Sequence, residues 1–469
     1  MSEDFGSTVR SSRVAYPDPP EAGKARLSVV GLGKLGSPLA AVLADQGHSV
    51  IGVDVNAAFV EALQDGRAPV PETGLAELIQ RNRSRLTATS DCREAVLATE
   101  MTFLVVPTPS KADGAFSLDR VLEACETIGD ALGRKPGFHV VVITSTVMPG
   151  STGGPIRAAL ERASAKLCGR DFGLCYNPEF IALGSVIRDM TQPDFVLIGE
   201  SDPRSGKLLA DLYERHWQKR APVRRMSFVN AELAKIAVNT FVTTKITYAN
   251  MLARLCERLP GADADVVTAA LGLDSRIGPK YLKGALGYGG PCFPRDNVAF
   301  SALARSRGVQ ALLAEATDRF NRQQVEWLGE ALLERLPTGG RVGILGLSYK
   351  PDTNVIEESQ GIAFARYFLE KGVPVAVYDP AALPNARSCL KGPVEFAESA
   401  AECARQSDLL MIATPWEEFR RLSPADLKYG GARPVIIDCW RILSPGAFDG
   451  RAEIVALGQG PREGWKQTT

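Results

Sequence analysis

The chain has 469 residues, 45% of them hydrophobic, with Lys+Arg and Asp+Glu balanced at 54 each. That length suggests two or three domains, and a formal charge of zero argues against a nucleic-acid or other polyanion binder, though not against a small anionic ligand held by a few local cations. No apolar run reaches the roughly 18 residues expected of a membrane span, and nine cysteines without a CxxC pair beside only three histidines speak against a disulfide framework or a metal site and for the cytoplasm.

Residues 1–25 are polar with no apolar core, so they read as a disordered or loosely docked leader and not as a secretory signal. From residue 26, "RLSVVGLGKLG" runs from a short apolar strand into a glycine turn, "SPLAAVLADQGH" has helical spacing, and "SVIGVDVN" is a second strand ending in Asp54. In this strand–GxGxxG–helix–strand–acid order, Gly31 permits the tight turn, Gly33 lets a pyrophosphate approach, and Gly36 allows close helix packing. Asp54, eighteen residues past Gly36, is placed to accept from a ribose 2′-hydroxyl and to repel a 2′-phosphate, so NAD is expected over NADP. Parallel strands are expected within 101–109, 139–147, 172–180 and 194–200, and the loops after the first three carry Thr108, Thr146 and Glu179. Ligands of open parallel sheets bind beyond such strand ends.

Residues 230–258 form a long helical pattern without Gly or Pro, with Lys235 and Asn239 four apart on one face. A second helical run is expected over about 297–335. At 341 the strand–glycine turn–helix–strand pattern restarts, ending in Asp379, with later strands within 408–415 and 434–440. The expected fold is α/β: two doubly wound Rossmann-like domains joined by a long central helix and a helical linker domain. The boundaries read as an NAD-binding domain over 26–225, a central helical domain over 226–335 and a second nucleotide-binding domain over 336–469.

Between the helical runs lies "GYGGPCFPRD", residues 287–296. Glycines and prolines there are expected to exclude a regular strand or helix around Cys292, so the loop either presents a thiol for chemistry or merely turns a corner. A thiol beside a nicotinamide can add to an aldehyde, lose a second hydride as a thiohemiacetal and leave a thioester for water to cleave. Lys235 and Asn239 could stabilise an oxyanion, and Asp296 or Glu179 could move a proton through water. Each has a plainer reading: a helix lysine is often a solvated charge, and Asp296 stands where a helix N-cap would.

The set "VVGLGKLG", "VVPTP", "STV", "NPEF", "LAKIAVNTF", "RIGPKYLKGALGYGGPCFPRD" and "GLSYKPDT", in this order, resembles the UDP-glucose/GDP-mannose dehydrogenase family. The resemblance implies oxidation of the C6 hydroxyl of a nucleotide sugar to a carboxylate with two NAD, UDP-glucose being the leading substrate and GDP-mannose or a UDP-N-acetylhexosamine the alternatives. It implies Cys292 as nucleophile, with Lys235, Asn239 and Asp296 handling oxyanion and water, and Thr146 and Glu179 nearby. It assigns NAD contacts to Gly31, Gly33, Gly36, Asp54, Thr108, Thr146 and Arg295. Substrate contacts fall to Glu179, Lys235, Asn239, Tyr281, Lys283, Gly289 and Lys350, and Arg276 would reach the nucleotide sugar of a neighbouring subunit, so a homodimer through the central helix is implied.

Departures from the family pattern lie at Leu183, where an acid is usual, and at Glu357, where an arginine usually approaches the pyrophosphate. Arg295 replaces a lysine, and Arg441, one position late, is a candidate for the missing cation. Two other functions compete with this reading. A single-step β-hydroxyacid dehydrogenase would release one NADH per product, and a degenerate nucleotide-binding subunit or sensor would release none.

Overall fold

The computed structural model describes residues 23–214, 221–430, 432–444 and 446–461, so the expected leader falls outside the described residues except for 23–25. The chain divides into two compact units, 1–109 with 116–235 and 110–115 with 236–469. The division falls inside the long helix Phe228–Cys256, between Lys235 and Ile236.

The strands of the first unit are β1 Arg26–Val30, β2 Ser49–Val53, β3 Leu86–Thr89, β4 Met101–Leu104, β5 Val140–Ile143, β6 Gly173–Tyr176, β7 Val196–Glu200 and β8 Val223–Met226. They form one sheet in the order β3-β2-β1-β4-β5-β6-β7-β8. Successive side chains of a strand point to opposite faces, and both faces here are covered. Leu27 and Val29 enter one core with Leu39 and Leu43 of the helix Gly36–Asp45, while Val30 enters the other with Ile128 and Leu132 of the helix Asp119–Arg134. Burial on both sides explains why these strands read as unbroken apolar runs. One direction differs from expectation. β7 runs antiparallel to β6, pairing Cys175 with Glu200 and Tyr176 with Gly199. The segment between them is spent on a loop and the six-residue helix Val186–Thr191, too short to cover a sheet face as a crossover does.

The second unit contains β9 Val342–Leu345, β10 Val375–Tyr378, β11 Val394–Phe396, β12 Leu409–Ile412, β13 Val435–Asp438 and β14 Glu453–Ala456, all parallel in the order β11-β10-β9-β12-β13-β14. Val342 and Ile344 pack with Phe364 and Phe368 on one face, and Leu345 packs with Cys403 and Phe419 on the other. The chain is thus α/β with two Rossmann-like sheets and a 29-residue helix between them in sequence. The expected single run over 297–335 is two helices, Phe293–Ser306 and Leu312–Leu333. Gly308, at φ +70°, stops the first with the left-handed residue that commonly ends helices. Among the described residues, no helix is long and apolar enough to cross a membrane.

Candidate active site

The first glycine turn is built as its spacing predicts. Gly31 has φ +101°, and a Cβ on it would lie 2.1 Å from the Val105 carbonyl oxygen. A Cβ on Gly36 would lie 1.7 Å from the Gly31 oxygen, so helix and turn can meet only through glycine. Around Gly33 there is open space. Among the described residues, no acceptor meets the N–H groups of Gly33, Lys34 and Leu35 at the start of the helix. Free amides with open space in front of them suit a pyrophosphate. Asp54 follows β2 and accepts from Leu32 N–H at 2.6 Å and Asn56 N–H at 2.8 Å. A carboxylate offers about four acceptor positions, so Asp54 braces the turn and keeps capacity for a ribose hydroxyl. These residues fit NAD.

Three adjacent strands, β4, β5 and β6, end in the loops bearing Thr108, Thr146 and Glu179. Thr108 Oγ1 donates to the Thr146 carbonyl at 2.7 Å. Ser145, which motif reading missed, joins the same loops: its Oγ accepts from Val106 N–H at 2.9 Å and donates to Val106 O at 2.7 Å. In the third loop, Asn177 Nδ2 donates to Leu197 O at 2.9 Å, and Glu72 accepts from Gly184 and Val186 N–H at 2.8 and 2.9 Å. The Glu179 carboxyl between these anchors is pushed up to about 7, because desolvation outweighs the attraction of Lys235. Lys235 is no solvated charge. It is buried, its Nζ donates to Glu179 O at 2.6 Å, and it lies 4.7 Å from the centre of the Phe180 ring.

In the second unit, the Cys292 loop is held from below by buried amides. Asn250 accepts from Ala285 N–H at 2.8 Å and donates to Leu286 O at 3.0 Å. Asn321 accepts from Tyr288 N–H at 2.8 Å and donates to Tyr288 O at 3.0 Å, and Gln324 donates to Ala285 O at 3.1 Å. These three residues lie far from the loop in sequence, and no motif announced them. The loop glycines face protein. A Cβ on Gly289 would lie 2.3 Å from Glu358 O, and one on Gly290 would lie 2.7 Å from the Tyr349 ring. Gly290 N–H donates to Glu357 O at 2.9 Å.

Cys292 occupies the N-cap position of the helix Phe293–Ser306, with Pro294 in the first turn, where no donor is required. Among the nine cysteines it alone is exposed, whereas burial pushes the Cys92, Cys125 and Cys403 thiols up to about 12. One turn on, Asp296 is fully buried. It is not an N-cap: it accepts from Asn239 Nδ2 at 2.6 Å and from the Arg295 guanidinium at 3.1 Å. The structure therefore joins Asn239, Asp296 and Arg295 into one cluster directly after the thiol.

The second glycine turn repeats the first in geometry. A Cβ on Gly361 would lie 2.0 Å from Gly346 O, and Asp379 braces the turn from Leu347 N–H at 2.7 Å. Asp379, however, is buried and also accepts from Ser348 N–H and Oγ, Trp416 Nε1 and the N–H groups of Ala381 and Ala382. That saturation leaves no place for a ribose hydroxyl.

The suggested role of Arg441 does not survive. Its Nε and Nη2 donate to Asp265 at 2.8 and 2.9 Å, Nη2 also donates to Gly284 O at 2.6 Å, and Nη1 donates to Cys439 O and Leu457 O. An arginine has five donors, and all are spent inside the second unit on a side chain only 6% exposed. Lys283 lies 3.6 Å from the same Asp265. Tyr281 is exposed at φ +63°, and Lys350 is half-buried. Arg276 projects from the surface and is chelated by Asp274 at 2.6 Å, so within its own chain it does not join the Asn239–Asp296–Arg295 cluster.

Two doubly wound sheets, the first with a glycine turn that fits a dinucleotide and the second with one that does not, define the class of NAD-dependent dehydrogenases. The chain matches the NAD binding domain of the UDP-glucose/GDP-mannose dehydrogenase family over 25–217, its central domain over 229–323 and its UDP binding domain over 343–445. It belongs to that family of NAD-dependent oxidoreductases. It is 38% identical over 423 residues to the UDP-glucose 6-dehydrogenase AglM of Haloferax volcanii, covering 89% of this chain and 97% of the relative. It is 35% identical over 359 residues to the GDP-mannose 6-dehydrogenase of Azotobacter vinelandii, covering 76% and 81%. A solved UDP-glucose dehydrogenase from the hyperthermophilic archaeon Pyrobaculum islandicum is similar with a TM-score of 0.84 and 36% identity, covering 96% of this chain and 99% of that one.

Proposed function

We propose that this chain oxidises the C6 hydroxyl of UDP-glucose to the carboxylate of UDP-glucuronate, acting in the cytoplasm as a homodimer. The observation that carries the chemistry is the exposed Cys292 thiol on a loop fixed by Asn250, Asn321 and Gln324. NAD, held by the turn of Gly31, Gly33 and Gly36 with Asp54, Thr108 and Thr146, supplies a hydride acceptor for each two-electron oxidation. Loss of a proton and a hydride from the C6 alcohol leaves an aldehyde. Cys292 Sγ then bonds to the carbonyl carbon, and the thiol proton passes to the oxygen. Loss of a second hydride from C6 and of the hydroxyl proton from that adduct gives a thioester. Water adds, the C–S bond breaks, and the thiol returns as the acid leaves. The sum consumes one water and yields two NADH, one carboxylate and three protons.

Lys235, oriented by the Glu179 carbonyl, supplies the fixed positive charge for an oxyanion. Asn239 and Asp296 act as one hydrogen-bonded pair, and Glu179 titrates where it can take a proton from water near neutrality. Arg276, Tyr281, Lys283, Gly289 and Lys350 are assigned to the nucleotide sugar, and Arg295 to the cofactor side. The relatives named UDP-glucose 6-dehydrogenase support the substrate, and the GDP-mannose relative supports the alternative. A panel of UDP- and GDP-sugars with NAD, counting NADH per acid, tests the reading. Two NADH with UDP-glucose supports it, turnover of GDP-mannose alone moves the substrate, and one NADH per product overturns the thiol mechanism.

A further inference from the structure

The helix that carries Lys235 also carries, one turn earlier, a carboxylate with no task in the mechanism above. Glu232 is completely buried, a costly place for a charge without donors. Its two oxygens accept from Gly150 N–H at 2.6 Å and Thr152 N–H at 2.7 Å. Thr152 N–H opens the helical segment that follows β5, Thr152–Ile156 running into Arg157–Ser164, and Gly150 lies just before its N-cap Ser151. The Thr152 amide is an unpaired donor of a helix start, which favours negative charge. Such donors are ordinarily capped by a neighbouring Ser, Thr, Asp or Asn, but here the adjacent Ser151 makes no side-chain cap. Burial lifts the Glu232 carboxyl, and its bonds to Thr152 and Gly150 pull it partly back. The approach is close beyond these bonds, since a Cβ on Gly153 would lie 3.2 Å from Phe228 of the same long helix.

We infer that Glu232 is a positioning residue for the oxidation: its two backbone bonds lock the segment after β5, which carries Thr146, to the helix that carries Lys235. A cap borrowed from a remote helix serves as a tie as well as a cap, and both strands of that tie lead to residues assigned to the reaction. The inference rests on the reading of Thr146 and Lys235 given above.

The test is Glu232→Gln in the full chain, assayed below its Tm. Glutamine keeps the shape but offers one acceptor oxygen, so one N–H is left facing an amide donor. A displacement of the reacting groups of even about 1 Å can cost on the order of a hundredfold. We expect kcat to fall by about tenfold or more with the KM for UDP-glucose little changed. Glu232→Asp, which keeps the charge and loses reach, should fall between. Asp202→Asn is the control: Asp202 accepts from Ser205 N–H at 3.0 Å at the start of the helix Pro203–Glu214, so it should lower Tm and leave kcat in place. A Glu232→Gln enzyme with kcat within about twofold of wild type overturns the inference, whatever its Tm. Should that variant fail to fold, wild-type kcat in Glu232→Asp overturns it equally. If wild type gives no NADH with any nucleotide sugar, the functional reading fails first. If wild type gives two NADH per acid and Glu232→Gln matches its rate, only this inference falls.

Discussion

Glu179 links a single side chain to a visible pH dependence. Desolvation holds its carboxyl at about 7 despite Lys235, so it passes from neutral acid to carboxylate across neutrality. If it takes a proton from water, kcat rises through pH 7 and levels above it, and Glu179→Gln abolishes that rise while lowering the plateau. A pH–rate profile of both proteins checks this. His139 carries a stability signature of the opposite kind. The ring is fully buried, Nε2 lies 2.8 Å from Thr102 Oγ1, and the Lys135 ammonium lies 3.2 Å from Nδ1. Burial first and Lys135 second push its pKa down to about 3 from an ordinary 6.5. The folded value lies below the unfolded one, so the fold favours the neutral ring. That contribution is complete above pH 6.5 and is lost as pH falls from there towards 3, at about 1.4 kcal/mol per pH unit. Denaturant titrations between pH 7 and 4 should show His139→Gln losing stability less steeply than wild type.

At the scale of elements, Arg441 shows what sequence could and could not give away. Read as a lone cation after a strand, it invited a place at the cofactor, but its five donors tie the helix Ala264–Leu273, the Gly284 loop and the end of β14 together. Arg441→Met should therefore lower Tm, through the loss of its backbone bonds to Gly284 and Leu457 as well as of its partly exposed ion pair with Asp265, and leave the Kd for NAD within about twofold. Calorimetry with an NAD titration decides this, and weakened NAD binding without loss of Tm would restore the earlier role. The central strands were legible because burial on two faces writes an apolar run. The four strands not anticipated, β3, β8, β11 and β14, are the edge strands of the two sheets, and "VRRM" or "VEF" carries no such run. Gly31 and Gly36 were legible because close backbone approach admits only glycine. Cys292 was legible because its glycine and proline neighbours differ from the aliphatic setting of a core cysteine, although Pro294 opens a helix there instead of excluding one. Asn250, Asn321, Gln324 and Glu232 were not, because a buried polar side chain on a helix reveals its purpose only through a partner distant in sequence.

For the whole molecule, the part of the central helix in the second unit exposes Phe241, Tyr248, Met251 and Leu255. Their spacing of seven, three and four draws one apolar stripe along the helix, the pattern by which helices pair. Phe241→Asp with Tyr248→Asp should halve the sedimenting mass without unfolding the chain, and a monomeric wild type would remove the dimer from the account. The role of the Cys292 thiol is tested by counting NADH against sugar acid for wild type and Cys292→Ser with UDP-glucose and saturating NAD. Wild type should release two NADH per UDP-glucuronate, and the variant should form no acid. One NADH per product from wild type, or acid formed at the wild-type rate by Cys292→Ser, would contradict that role.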